Sequence, residues 1–235
     1  EVTNAMNQEG TGEFYDPKEY AIGITYAKKF VNWFSFGTSL KYISSKIWHN
    51  SAGATALDLG VLIRTPFFSI TDSRRDGLRI GMSISNYGTK MQYDGIDLLN
   101  PIDISSEYGN YSNVEGQFRM QNWELPLFFR LGVALKPLVN EIFNLTIALD
   151  AIHSNNNNEY INIGSELIFL PSSRTKFYLR SGLKGIFMED SEFGPTLGVG
   201  IKYQLKSGQS IKFDYSYRDL ITFQNTYNYN LSLSF

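Results

Sequence analysis

The chain has no cysteine and only two histidines among its 235 residues. Without thiols it holds neither a disulfide framework nor a thiolate metal site. The lack of cysteine is also compatible with assembly in the oxidising periplasm. A net charge of -2 and a pI near 5.8 argue against a nucleic-acid partner, which would require a basic face. We therefore expect no metal, no cofactor and no nucleic acid.

Long apolar runs are absent as well. No run approaches the roughly 20 apolar residues that a membrane-spanning helix needs, and the mean hydropathy is -0.21. These values still allow a transmembrane β-barrel, because barrel strands alternate apolar and polar residues. The chain is 15% aromatic, with 15 tyrosines and 17 phenylalanines, which suits the aromatic girdles of such barrels.

The C-terminal segment alternates large apolar and small polar residues. Its large residues are Tyr227, Tyr229, Leu231, Leu233 and Phe235. A period of two residues is typical of a strand whose faces meet different environments. A terminal strand with a final aromatic also resembles the signal that inserts barrels into the bacterial outer membrane. We predict that these five residues form a membrane-insertion signal, and that the protein lies in the bacterial outer membrane.

Eleven strand-like segments are predicted along the chain. They lie near residues 20–30, 34–47, 55–65, 78–91, 123–136, 143–153, 159–170, 176–187, 194–205, 210–218 and 225–235. A length of about ten residues exceeds the five or six of ordinary strands and matches the 9–11 that cross a bilayer. We predict an all-β chain, a single antiparallel transmembrane β-barrel domain over residues 1–235. The alternative is a soluble sandwich whose apolar face points inward.

The connections predict which strand ends face outward. Counting back from the C-terminus makes the turns near 31–33, 66–77, 137–142, 171–175 and 206–209 periplasmic, and those near 48–54, 92–122, 154–158, 188–193 and 219–224 extracellular. The longest connection then lies outside, as in known barrels, although 66–77 is long for a periplasmic turn. Single-chain bacterial barrels have an even strand number, and the chain begins at Glu1 without a signal peptide. We therefore expect missing upstream strands; three would give fourteen.

Several segments together resemble the PorV/PorQ family of outer-membrane proteins. They are Tyr26–Phe30, Phe34–Tyr42, Ala56–Leu62, Leu78–Gly88, Leu125–Gly132, Leu145–His153, Glu159–Glu166 and Leu179–Gly182. The resemblance implies a fourteen-stranded barrel of the fatty-acid transporter (FadL) type. It also implies a non-enzymatic role in type IX protein secretion, in which PorV-like members bind secreted cargo and PorQ-like members act in the attachment machinery. The alternative function is a FadL-like channel for hydrophobic small molecules.

Candidate sites follow from the same pattern. No catalytic constellation is visible, since Asp150 and His153 are three residues apart and fall on opposite faces of a strand. The long connection carries Tyr93, Tyr108, Tyr111 and Phe118, which we predict as a partner-binding loop because tyrosine-rich surfaces bind proteins well. The alternative is a solvated or partly disordered loop.

Charged residues are expected on the inward faces of the strands. They are Asp58, Arg64, Arg79, Arg130, Asp150, Glu166, Arg180, Lys184, Lys202, Lys212, Asp214 and Arg218. Such groups form either a hydrogen-bonded lining or a selective polar pathway. Gly198 and Gly200 on one of these faces leave room for a bend or a close-packed segment.

Overall fold

The computed structural model describes residues 2, 7–102, 114–188, 191–205, 208–222 and 224–234. These residues form strands, with one 3-10 helix at Ile96–Leu98. The strands are β1 (Lys18–Val31), β2 (Phe34–Ile47), β3 (Asn50–Arg64), β4 (Arg79–Gly88), β5 (Asp94–Gly95), β6 (Leu99–Ile102), β7 (Val114–Gln117), β8 (Phe128–Val139), β9 (Phe143–Ser154), β10 (Asn157–Phe169), β11 (Thr175–Ile186), β12 (Phe193–Gln204), β13 (Ser210–Leu220) and β14 (Thr226–Ser234). No helix in this part of the chain is long and apolar enough to cross a membrane.

Eleven long strands form one sheet in the order β1-β2-β3-β4-β8-β9-β10-β11-β12-β13-β14. From β8 to β14 each strand pairs antiparallel with the next one in the sequence. The short β5 pairs with β3, and β6 and β7 form a separate hairpin. The eleven predicted strands are thus confirmed, whereas β5, β6 and β7 lie in a connection that was predicted to hold no strand.

The chain divides into two compact units. Unit 1 contains residues 1–26, 38–58 and 85–127, and unit 2 contains residues 27–37, 59–84 and 128–235.

Large apolar side chains are exposed along the long strands. In β12, Leu197 is 54% exposed and Val199 is 50% exposed, and Leu179 of β11 is 56% exposed. Within the described residues, the buried apolar side chains are only Ala52, Ala54, Ala56, Met91, Leu125 and Ile152. A soluble sandwich would bury its apolar face, so this distribution contradicts that alternative and fits strands that face lipid.

The small core of unit 1 is made by β3 and the two ends of the long connection that follows β4. Ala52, Ala54 and Ala56 pack with Met91 and Leu125. The two ends are joined by backbone hydrogen bonds between Met91 and Trp123, at 2.9 and 3.0 Å. Alanine side chains leave space next to the strand, and the connection fills it.

The turn between β2 and β3 is shorter than expected. It consists of Trp48 and His49, whereas the sequence predicted a connection over 48–54. The prediction was wrong because the small side chains of Ala52 and Ala54 do not show the apolar alternation of a strand. In the structure both are strand residues that pack against the connection after β4. The turn between β9 and β10 is equally tight, at Asn155 and Asn156, so the connections expected on the extracellular side are not uniformly long.

The connection between β3 and β4 is folded around one carboxylate. Asp76 is 3% exposed. Its Oδ1 accepts hydrogen bonds from Ser69 Oγ (2.9 Å) and Thr71 Oγ1 (2.8 Å). Its Oδ2 accepts from the backbone N–H groups of Ile70 (3.0 Å) and Thr71 (2.9 Å). Burial alone would raise the pKa of Asp76, but these hydrogen bonds outweigh burial and hold its pKa well below the usual range.

We predict that Asp76→Asn lowers the free energy of unfolding at pH 7 and that the deficit shrinks below pH 4. A carboxylate with a depressed folded pKa contributes stability above its unfolded pKa of about 3.9, and that contribution is lost as the pH falls. Urea titrations of the folded chain in detergent at pH 7 and pH 3 measure both values. Asp72→Asn, at an exposed position of the same connection, is the control. An equal deficit at both pH values would contradict the prediction.

Candidate functional site

One face of the sheet in unit 2, which contains parts of β1 to β4 together with β8 to β14, carries the polar side chains of these strands; we call it the polar face. Strand alternation places every second residue on it. The register aligns Glu166 with Arg180 and Arg180 with Gly198. It also aligns Gly200 with Asp214.

A network of ion pairs crosses the polar face. Arg180 Nε lies 2.7 Å from Glu166 Oε2, and Arg180 Nη1 lies 2.7 Å from Asp214 Oδ1. Lys212 Nζ lies 2.8 Å from Asp214 Oδ2. The Arg180 guanidinium and the Lys212 ammonium also lie 4.8 and 5.1 Å from the centre of the Tyr178 ring. Four charged groups on β10, β11 and β13 therefore hold one another in charge-assisted hydrogen bonds.

Glycines in β12 make this network possible. A Cβ at Gly200 would contact Asp214 Oδ1, and a Cβ at Gly198 would lie 3.6 Å from Arg180 Cβ. Because β12 presents no side chain at these positions, Arg180 reaches across it to Asp214 on β13. The room expected at Gly198 and Gly200 is thus filled by two charged side chains.

A second part of the polar face is lined by small and largely uncharged residues. A cavity of about 480 Å³ is lined by Ala27, Gly37, Gly60, Gly81 and Gly132, together with other residues of unit 2. Its lining is mainly apolar, and its charged members are Arg130 and Asp150. Nothing lies within 4 Å of a Cβ built on Gly81, and only Met82 O, at 3.8 Å, lies near one on Gly60. These glycines border open space.

A third region links the other two. Asp150, Lys184 and Arg218 line a cavity of about 410 Å³. Asn162 lines it too, and its Oδ1 accepts the Gly185 N–H at 3.0 Å. Six of the residues predicted as inward charges thus share one face of unit 2: Glu166, Arg180, Asp214, Arg130, Asp150 and Arg218. Asn162, which was not predicted, lies on the same face.

Two further predicted charges lie at the adjoining ends of β3 and β4. Arg79 Nη2 donates to Arg75 O at 2.7 Å. The Nε atoms of Arg64 and Arg79 are buried and have no hydrogen-bond partner among the described residues.

Asp58 belongs to a separate cluster in unit 1. Its Oδ1 lies 2.8 Å from Lys41 Nζ and accepts the Asn86 N–H at 2.8 Å. Lys41 also donates to Asn86 Oδ1 at 2.6 Å. Neither Lys41 nor Asn86 was predicted as a site residue. Lys41 could have been found, since it lies within an alternating strand, but Asn86 depends on a left-handed φ of 64° near the end of β4.

The predicted partner-binding loop is only partly described. Tyr93 is half-buried, with its hydroxyl 2.6 Å from Ser45 Oγ and its ring 5.1 Å from that of Trp123. Phe118 is 65% exposed. Tyr108 and Tyr111 lie outside the described residues. Partner binding by this loop stays a prediction, and Tyr93 is engaged in contacts within unit 1.

The two histidines contact carboxylates. His49 Nδ1 lies 2.9 Å from Asp97 Oδ1, and His153 Nδ1 lies 2.8 Å from Glu159 Oε1 rather than near Asp150. No group of three or more potential metal-binding side chains occurs in the described part of the chain.

Four of the five predicted insertion-signal residues lie on one face of β14. Tyr227, Tyr229, Leu231 and Leu233 are all exposed. Tyr229 packs beside Tyr215 and Tyr227 beside Tyr217, with ring centres 5.2 and 5.6 Å apart. Phe235 lies outside the described residues. The signal itself stays a prediction.

The structure is similar to that of a solved transporter. The crystal structure of the Pseudomonas putida toluene transporter TodX matches with a TM-score of 0.50 and 10% identity, over 92% of this chain and 68% of that one. No known family profile matches the chain, and no curated protein does. At this identity the likeness concerns the fold alone.

The predicted fold class is confirmed: the described part of the chain is all-β and antiparallel, and its fold is similar to that of this transporter's barrel. The PorV/PorQ assignment receives no support from the similarity and stays a prediction. So do the single domain over 1–235 and the expected upstream strands.

We predict that Gly200→Ala destabilises the chain by about 1–3 kcal/mol, because an added methyl group overpacks the site of the Asp214 carboxylate. Gly164→Ala is the matched control. Gly164 lies on the polar face in β10, where an added Cβ would meet only Ser181 O at 3.6 Å. The free energy of unfolding of this variant should stay within about 0.5 kcal/mol of the parent's. Urea titration in detergent measures both. Equal effects of the two substitutions would contradict the account of β12.

Proposed function

We propose that this protein is a non-enzymatic outer-membrane channel for small hydrophobic molecules. The observation that carries the proposal is the mainly apolar, glycine-lined cavity of about 480 Å³ on the polar face. Small-molecule sites are concave, mostly apolar and roughly 300–1,000 Å³ in volume. The fold similarity to a toluene transporter supports the same proposal.

The charged part of the polar face does not oppose this function. Arg180, Glu166, Asp214 and Lys212 neutralise one another through short ion pairs. A paired network is a rigid lining, since each charge is already engaged. A hydrophobic solute would therefore pass along the glycine-lined part and not across the ion pairs.

Protein docking in type IX secretion is the second candidate. The PorV/PorQ resemblance suggests it, and the hairpin of β6 and β7 favours it, because Leu99, Ile102 and Val114 are exposed there. Exposed apolar groups on a connection are typical of a binding surface. Secreted cargo proteins and the attachment machinery would be the partners.

A graded series at Gly81 tests the channel. Gly81→Ala, Gly81→Val and Gly81→Leu place growing side chains into open space. We predict that uptake of radiolabelled toluene by cells that express the chain falls with each step, by about fivefold for Leu, because passage depends on the free width of the path. Folding should be unchanged, as judged by heat-modifiable mobility on gels.

Val199→Leu, on the exposed apolar side of β12 and away from the three regions of the polar face, is the control and should leave uptake unchanged. If all three Gly81 variants take up toluene at the parental rate, the channel proposal fails. Photocrosslinks from position 118 to secreted proteins in those same cells would then favour docking.

A further inference from the structure

Three lysines face one another across neighbouring strands of unit 2. The register aligns Lys176 of β11 with Lys202 of β12, and Lys202 with Lys212 of β13. All three are half-buried. We call Lys176, Lys202 and Lys212 the lysine row. Lys212 lies beside Tyr178 and Asp214, which places the row on the polar face.

Like charges directly opposite each other in a sheet are destabilising. Residues aligned in this way lie roughly 4.5–5.5 Å apart between Cα atoms. The three ammonium groups thus start from neighbouring backbone positions on one face. An arrangement that costs stability calls for a compensating negative charge.

The described residues supply little of that charge. On the next strand the row is continued by Ser232, which is aligned with Lys212. Among the described residues two positions away from a lysine of the row on the same strand, the acid is Asp214, which follows Lys212 on β13. Its Oδ1 binds Arg180 and its Oδ2 binds Lys212. Among the described residues, Lys176 and Lys202 have no ion-pair partner.

Serines of β13 and β14 lie beside the Lys212 end of the row in the strand register. Ser210 is aligned with Gln204 on one side and with Ser234 on the other. Ser232 Oγ accepts a hydrogen bond from Asn230 Nδ2 at 3.2 Å, so its own proton is free to donate. Ammonium and hydroxyl donors together suit the oxygens of phosphate or carboxylate groups.

We propose that the lysine row binds a small oxyanion, phosphate or a short carboxylate, on the polar face of unit 2. The site goes beyond the proposed channel: it lies on β11, β12 and β13, whereas the glycine-lined cavity involves strands up to β9. The aligned serines and glutamine are polar, and the Tyr178 ring beside the row already lies against Lys212 and Arg180, so the ligand is small and polar.

The test measures protection of single lysines from acetylation. The full chain is folded in neutral detergent and treated with a water-soluble acetylating ester, in sodium phosphate or in sodium chloride of equal ionic strength. Peptide mass spectrometry gives the rate at each lysine. Phosphate should slow acetylation of Lys176 and Lys202 by the factor 1 + [phosphate]/Kd, about threefold at twice Kd. Lys18 and Lys90 should react at the same rate in both salts.

Two variants sharpen the result. Lys202→Gln should abolish the phosphate protection of Lys176, since it removes the central donor. Lys184→Gln, on the same face of β11 but outside the row, should leave protection intact. Both are compared only after heat-modifiable mobility shows that they fold. Protection of Lys176 that survives Lys202→Gln would overturn the site.

Further arms distinguish the source of the oxyanion. Acetate should also protect the row, since carboxylate shares the chemistry. If Lys176 and Lys202 are acetylated at the same rate in phosphate and in chloride, only ionic screening acts on them and the proposal is overturned. Protection by phosphatidylglycerol micelles, with none by free phosphate, would assign the row to lipid and also overturn it. None of these readouts depends on toluene uptake, so the two proposals can fail separately.

Discussion

The structure depends on one constraint, which is that each long strand separates apolar from polar side chains with a period of two residues. In lipid every backbone group needs a partner, and paired strands supply it. The side chains then have only two directions. In β13, Ile211, Phe213, Tyr215 and Tyr217 point one way, and the ion-paired Lys212 and Asp214 point the other. The exposed apolar surface, the charge network and the cavities all follow from this division.

Glycine decides how the polar face is used. At Gly198 and Gly200 the missing side chains let Arg180 reach Asp214 across an intervening strand. At Gly60 and Gly81 the space stays open and forms part of a cavity. Glycine thus makes room for an ion pair in one part of the polar face and leaves an open cavity in another part. The difference lies in whether the neighbouring strands carry long charged side chains.

Sequence patterns predicted the eleven long strands and the charged face, since both depend on local alternation. They did not predict the early start of β3 at Asn50. Its alanines lack the large side chains typical of a strand, and only the packing of Met91 and Leu125 on them explains their place in β3. The order of side chains along a strand also does not determine the register between neighbouring strands. The partners of Arg180 and the alignment of Lys176, Lys202 and Lys212 depend on that register, so neither could be derived from the sequence.

The central claim is that alternate residues face lipid and water, and a single-cysteine scan tests it directly. The chain has no cysteine, so each substitution from Ile211 to Arg218 carries one nitroxide label in lipid vesicles. The account predicts high oxygen accessibility at positions 211, 213, 215 and 217 and high accessibility to a water-soluble nickel complex at the positions between them. Accessibilities without a period of two residues, or with the two faces reversed, would contradict it.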